Sequence, residues 1–292
     1  MAGSVTVFSR QSSVASRIFD SIFILKSEIF NLRFRFLPEP YNLPVHRFFA
    51  PAVDAGDETV DLPRDEGEHL TRVLRLGQGD EVAVFDGRGR EYRARVVGAV
   101  GRSVRVQLLS RLETASELPV PIVLAQSILK GDKMDEVVRD AVMLGVSAIQ
   151  PLVTTRTEST IAAVIRGARL ERWRRVALAS VKQSGRALLP EIRTPLTFDT
   201  FLDEPPAALR LMLVEPSAAA SPESIAVIRA LPTPHDVSLM VGPEGGWTAT
   251  EWTRARECGV RVISLGPRTL RADAVPIAAL SVLNFLWDEY PA

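Results

Sequence analysis

Cysteine is nearly absent: Cys258 is the single one in 292 residues. That excludes a disulfide framework and a cysteine-rich metal site, and it points to a reducing compartment, the cytoplasm. Histidine is as scarce, and His46, His69 and His235 are too scattered to suggest a metal site or a Ser/His/Asp arrangement. An excess of either charge is also missing. Lys and Arg number 35 and so do Asp and Glu, so a nucleic-acid signal, if there is one, must be local. Lysine occurs only at Lys26, Lys130, Lys133 and Lys182, so nearly all positive charge is arginine, the side chain that best matches phosphate geometry and stacks on bases. No apolar run approaches the roughly 18 residues of a membrane-spanning helix, so no membrane partner is expected. Internal repeats and low-complexity tracts are absent as well.

What is present is an ordinary globular composition, 46% hydrophobic and 24% charged, on a chain long enough for one large or two smaller domains. Residues 1–44 stand apart. Phe19, Ile22, Phe23, Leu25 and Phe30 are interleaved with serines and a few arginines, and Pro38, Pro40 and Pro44 close the segment. The stretch bears Arg and Ser as a targeting peptide does, but Asp20, Glu28 and Glu39 count against that reading. A disordered extension or a mis-assigned start is expected instead. Residues 45–112 read as short alternating strands and tight turns, with Glu81 to Phe85, Glu91 to Val96 and Ser103 to Leu108 at period two, which predicts a small β-barrel. One helical turn, Glu66 to Leu74, interrupts it. After a proline-bearing linker, residues 117–292 change pattern. Compact apolar strands at Ile122, Val146, Leu209, Val237 and Val260 alternate with helices over Asp132 to Leu144, Leu170 to Ser184, from Thr248, and through Trp287. That alternation predicts an α/β domain with a mostly parallel sheet.

The chemistry is sought where strands end. Strand Val237 to Val241 runs into Gly242-Pro243-Glu244-Gly245-Gly246, and Thr248 with Glu251 fits a capping box. The next strand runs into Leu265-Gly266-Pro267-Arg268-Thr269-Leu270-Arg271-Ala272-Asp273, where Asp273 reads most simply as a helix cap and Arg271 has no structural reason to be there. Ligands in open α/β sheets collect at the carboxyl ends of strands, and glycine lets backbone approach them. Neither loop fits the dinucleotide fingerprint or the Gly-Lys-Ser/Thr phosphate loop. A third, weaker candidate is Glu215-Pro216-Ser217 after Leu209 to Val214. A fourth is Lys182-Gln183-Ser184-Gly185-Arg186, where Arg186 is left to reach outward. Arginines cluster in the barrel at Arg88, Arg90, Arg93, Arg95, Arg102 and Arg105, and again at Arg166, Arg169, Arg172, Arg174 and Arg175. Such runs are either solvated faces or phosphate contacts.

The paired loops, with His46-Arg47-Phe48-Phe49, His69-Leu70-Thr71-Arg72-Val73-Leu74-Arg75, Phe85-Asp86-Gly87, Lys130-Gly131-Asp132-Lys133-Met134-Asp135 and Gln183-Ser184-Gly185-Arg186, resemble the RsmE family, the 16S ribosomal RNA uridine-N3 methyltransferases of the SPOUT superfamily. Only the first 44 residues fall outside the resemblance. It implies a PUA-like RNA-binding barrel at 45–112, a SPOUT methyltransferase domain with a C-terminal trefoil knot at 117–292, a homodimer, no metal, and the small ribosomal subunit or its 16S RNA as partner. It also implies S-adenosylmethionine held by Leu213, Val214 and Glu215, by Gly242, Pro243, Glu244, Gly245 and Gly246, and by Leu265, Gly266, Leu270 and Arg271. On this reading Arg271 stabilises the uridine N3 anion and Glu244 or Asp273 accepts the proton, while Arg47, Arg72, Arg75, Arg88, Arg93, Arg95 and Arg186 contact RNA. The chain departs from the family at Asp273, where a glutamate is usual, and at Lys182, again usually glutamate. Two other readings share the fold: a ribose 2′-O methyltransferase, and a ribosome-assembly factor that has lost catalysis.

Overall fold

The structure is a computed structural model, and it describes residues 46–54, 56–100, 103–218 and 221–287. The extension expected at 1–44 and Arg102 lie outside the described residues. Val45–Ala292 forms one compact unit.

Among the described residues its first sheet has five strands: β1 (Arg47–Phe49), β2 (Thr59–Asp61), β3 (Glu81–Phe85), β4 (Glu91–Val100) and β5 (Ser103–Leu112), in the order β1-β3-β4-β5-β2. β1 joins parallel to β3 and the other pairings are antiparallel. The period-two pattern decides which side chains enter this core: Val82, Val84, Ala94, Val96, Val104 and Val106 go in with Phe48 and Leu70, while on the other face of β3 Ala83 and Phe85 are buried as well, Phe85 in the core of the second sheet. The helical turn is longer than expected. α1 (Arg64–Glu68) continues into a π turn, His69–Val73, which buries Leu70 and leaves Val73 64% exposed.

The second sheet has eight strands: β6 (Ile122–Ser127), β7 (Ala148–Val153), β8 (Glu191–Ile192), β9 (Leu196–Thr197), β10 (Leu209–Leu213), β11 (Glu223–Ser224), β12 (Val237–Val241) and β13 (Arg261–Ser264). Every pairing in it is parallel. Helices α2 (Lys133–Met143), α3 (Ile161–Arg166), α4 (Arg169–Ser184), α5 (Phe198–Asp203), α6 (Ala249–Glu257) and α7 (Ala274–Leu286) cover it. Because both faces are covered, β10 and β12 are buried at every residue and read as unbroken apolar runs. Leu124, Leu211 and Leu239 share one core with Trp173 and Val181 of α4, and Ala125, Met212 and Met240 share the other with Phe198, Phe201 and Ala255.

Strand order is what builds the site. It runs β11-β13-β10-β12-β6-β7-β8, so β10 lies between the two strands that follow it in the bearing of loops, β12 and β13. Parallel neighbours end on the same edge, and the loops after these strands therefore meet. The two sheets are fastened by polar contacts: Arg47 donates to the carbonyls of Val181, Lys182 and Arg186, and Lys182 pairs with the buried carboxylate of Glu66. Among the described residues no helix is long and apolar enough to cross a membrane.

Candidate active site

The loop after β12 is shaped by its glycines and by Trp247. Gly246 has φ +66, where a Cβ would also run into the Glu215 carboxylate, and its amide closes a turn onto the Pro243 carbonyl at 2.9 Å. A Cβ at Gly242 would lie 3.0 Å from Trp247 Nε1. The indole is 6% exposed, packs on Phe198, and donates Nε1–H to the Leu213 carbonyl at 2.9 Å, which ties this loop to the end of β10. Helix α6 then opens with the predicted capping box of Thr248 and Glu251, and the Glu251 carboxylate also accepts the Thr155 amide at 2.8 Å.

The three loops enclose a cavity of about 220 Å³. Leu213, Val241, Leu265, Leu270 and Val275 give it apolar walls. Of the residues expected to hold a cofactor, Val214, Glu215, Gly242, Pro243, Glu244 and Gly246 also line it, as does Arg271. Gly245 and Gly266 do not. A Cβ on Gly245 would face Arg156, 3.2 Å from its Cδ, and Arg156 itself donates to the Gly245 and Trp247 carbonyls.

Four of the charged residues that line the cavity form two pairs. Arg271, whose side chain is 75% exposed, grips Asp273 with two hydrogen bonds, one of them Nε–H to Oδ1 at 3.1 Å. Asp273 makes no capping hydrogen bond, which corrects the simpler reading of it: the Arg271 carbonyl takes the amides of Ala274 and Val275 in its place. Burial works against the Asp273 carboxylate, but the Arg271 guanidinium, the Asp273 amide and Lys133 together outweigh it and hold the carboxyl below the usual carboxylate range; the pairing with Asp273 raises Arg271. Glu244 is similarly engaged, accepting from the Lys130 amide and from Lys133 Nζ, both at 3.1 Å. Burial would raise its carboxyl, and the amides and Lys133 together bring it below the ordinary value.

The arginines expected at RNA divide sharply. Arg47 and Arg186 are corrected to internal roles. The Arg47 guanidinium forks onto Glu91 at 2.7 and 2.9 Å and caps the end of α4, while Arg186, 4% exposed, binds Glu117 and the carbonyls of Val142 and Val146. A buried helix end needs such donors, and the last carbonyls of α4 and α2 find them here. Arg93 and Arg95 reach a common face and share Glu81 there at 3.1 and 2.8 Å. Arg88 is half exposed and bound to Asp86 and Asp54. Arg72 is 76% exposed with Glu68 at 3.8 Å, and Arg75, at φ 57, has no ion pair among the described residues.

Lys133, Trp247 and Arg268 line the cavity and were not singled out from the sequence. Trp247 stands next to the glycine loop, and Lys133 and Arg268 lie inside motifs already quoted, so adjacency was the available signal.

Comparison with known proteins bears on the same residues. A family model described as an RNA methyltransferase domain matches residues 116–284, and one described as an RNA methyltransferase PUA domain matches 62–109. The ribosomal RNA small subunit methyltransferase E of Synechocystis sp. is 36% identical over 235 residues, 80% of this chain and 75% of that one. The protein of the same name from Rickettsia conorii is 30% identical, over 80% and 92%. Among solved structures, a methyltransferase E from Neisseria gonorrhoeae bound to S-adenosyl methionine has a TM-score of 0.73 and 33% identity, covering 84% of this chain and 98% of that one. A methyltransferase from Legionella pneumophila with bound SAM has a TM-score of 0.74 and 33% identity, covering 82% and 96%. The architecture is that of the SPOUT methyltransferases, with a PUA-like domain preceding an α/β domain. This chain belongs to the RsmE family of ribosomal RNA small-subunit methyltransferases.

Proposed function

We propose that the chain transfers a methyl group from S-adenosylmethionine to N3 of a uridine in 16S ribosomal RNA. The observation that carries this reading is the convergence of three strand-end loops on one cavity with Arg271 at its mouth. The cavity suits the cofactor: apolar walls can take its adenine, and the loop backbone at Gly242, Pro243 and Gly246 can take its polar edges. When bound, S-adenosylmethionine supplies an electrophilic sulfonium methyl.

The chain's own residues meet the remaining need. Uridine N3 carries a proton and is a poor nucleophile until that proton leaves. Arg271, always charged, stabilises the N3 anion without competing for the proton. Asp273 holds the guanidinium in place, and its shorter side chain still makes both contacts, so the departure from glutamate leaves the pair intact. A carboxylate kept below its ordinary range is a weak base. Glu244 and Asp273 therefore act chiefly by orienting Lys133 and Arg271, the N3 proton passes to solvent water before N3 takes the methyl group, and the driving force lies in stabilising the anion and in ordering the reactants. Because N3 lies on the pairing edge, the target base is unpaired or extruded when it reacts.

The same reading includes the trefoil knot at the three loops, the division into barrel and catalytic domain at 45–112 and 117–292, work in the cytoplasm, and a homodimer. Exposed Met143, Ile277 and Phe285 on the mutually packed α2 and α7 offer an apolar face for the second copy. Nucleoside analysis of small-subunit RNA treated with the purified chain and S-adenosylmethionine tests the activity. N3-methyluridine is the expected product; methylation at a ribose 2′-O, or none, would overturn it.

A further inference from the structure

Among the described residues six charged side chains line the cavity, and four of them neutralise one another: Lys133 with Glu244, and Arg271 with Asp273. Glu215 and Arg268 are left over. Among the described residues Arg268 has no hydrogen bond and no ion pair, and it is exposed at the rim. Most arginines of the barrel are different. Arg93 and Arg95 share Glu81, Arg105 forks onto Asp61 at 2.7 and 2.8 Å, and Arg90 is bound to Asp86. In a chain with no net charge, a guanidinium left uncompensated beside the reaction cavity is the informative one.

Its presentation is also constrained. Gly266 has φ +128, and the Pro267 ring that follows fixes the next backbone angle, so Arg268 is carried on a stiff turn. Two residues on, Leu270 lines the cavity and is 38% exposed, an apolar lip between Arg268 and Arg271. A guanidinium fork beside an apolar lip fits a nucleotide: phosphate oxygens on the fork and a base face against the lip.

We propose that Arg268 is the phosphate contact that registers the RNA strand against this cavity, placing the target base beside Arg271. The proposal rests on the methyltransferase reading above. It moves the register-setting contact from the counter-charged face of Arg93 and Arg95 into the catalytic domain.

The test uses the full chain, small-subunit RNA titrated at several salt concentrations, S-adenosylmethionine calorimetry and sedimentation. R268A is expected to weaken RNA binding about tenfold, the effect of one lost charge-assisted contact. Its slope of log affinity against log salt should be lower by roughly 0.7, the value for one phosphate of a single strand. KM for RNA should rise, with S-adenosylmethionine affinity unmoved. R268K, which keeps charge but loses the fork, should preserve the slope and recover part of the affinity. An unchanged RNA affinity and slope would overturn the proposal. So would a fall in S-adenosylmethionine affinity, which would assign the guanidinium to the cofactor carboxylate, or a change in oligomeric state, which would assign it to a subunit contact. If the wild-type chain itself fails to methylate RNA, the activity reading has failed, whatever Arg268 does.

Discussion

The indole N–H of Trp247 meets the carbonyl of Leu213 at 2.9 Å, a bond in the cavity wall that ties the loop after β12 to the end of the neighbouring parallel strand β10. Trp247→Phe keeps the packing on Phe198 and removes the donor. The buried carbonyl then goes unpaired, at a cost of about 1–3 kcal/mol. Thermal unfolding should show the loss, and calorimetry should show weaker S-adenosylmethionine binding because two of the enclosing loops are no longer tied. Unchanged affinity would mean that each loop holds its shape alone.

Neighbouring glycines should behave differently. Gly246→Ala puts a Cβ at φ +66 and against Glu215, so it should cost about 1–2 kcal/mol and reduce cofactor affinity. Gly245→Ala directs its methyl at the aliphatic part of Arg156, away from the cavity, and should leave affinity near wild type. Calorimetry on both variants checks the order; equal losses would contradict the assignment of Gly246 to the cavity wall.

The departure at Lys182 is explained by a residue 116 positions earlier, since its ammonium lies 2.7 Å from Oε2 of Glu66, which is 4% exposed. Lys182→Met strands that carboxylate and should destabilise the fold by about 3 kcal/mol. Lys182→Glu, although usual in the family, should be worse here, and adding Glu66→Lys should restore most of the loss. Denaturant unfolding measures all three, and a Lys182→Glu variant as stable as wild type would show that the pair contributes nothing.

Much of the fold was legible because its signals are local. The run Val237 to Val241, the capping box at Thr248 and Glu251, and the alternation in β4 and β5 each lie within a few residues; β3, predicted to alternate, is instead buried from Val82 to Phe85. The cavity was legible too, since loops at the ends of parallel strands must gather. What could not be read was pairing across the chain. Arg47 and Arg186 look like free cations until Glu91 and Glu117 are brought to them, 44 and 69 residues away in sequence, and Asp273 looks like a cap until Arg271 turns back onto it. The short strands β8, β9 and β11 carry too few residues to show a period.

Acid should weaken the barrel through Asp86. Its carboxylate is 2% exposed, and it accepts the amides of Arg88 and Arg90 at 2.7 and 3.0 Å. Burial alone would raise this carboxyl; the amides and Arg90 overcome it and hold it below the usual range. A group whose folded pKa is depressed contributes stability above its unfolded value and loses it as pH falls through the folded one. Melting temperature should therefore drop below about pH 4. Asp86→Asn should be less stable at neutral pH and lose less on acidification; parallel curves for the two proteins would exclude Asp86 as a source of the acid sensitivity.

Arg271, on the proposed mechanism, acts on the reacting base and only secondarily on the cofactor. Single-turnover methyl transfer to small-subunit RNA by Arg271→Ala, with S-adenosylmethionine affinity measured on the same preparation, tests it most directly. The guanidinium is exposed and, among the described residues, tied only to Asp273, so the fold should survive. Turnover should fall by about 10²–10³, the usual effect of removing a donor to a developing anion, with cofactor affinity little changed. Turnover near that of the wild type, or a loss wholly accounted for by weaker cofactor binding, would contradict the account.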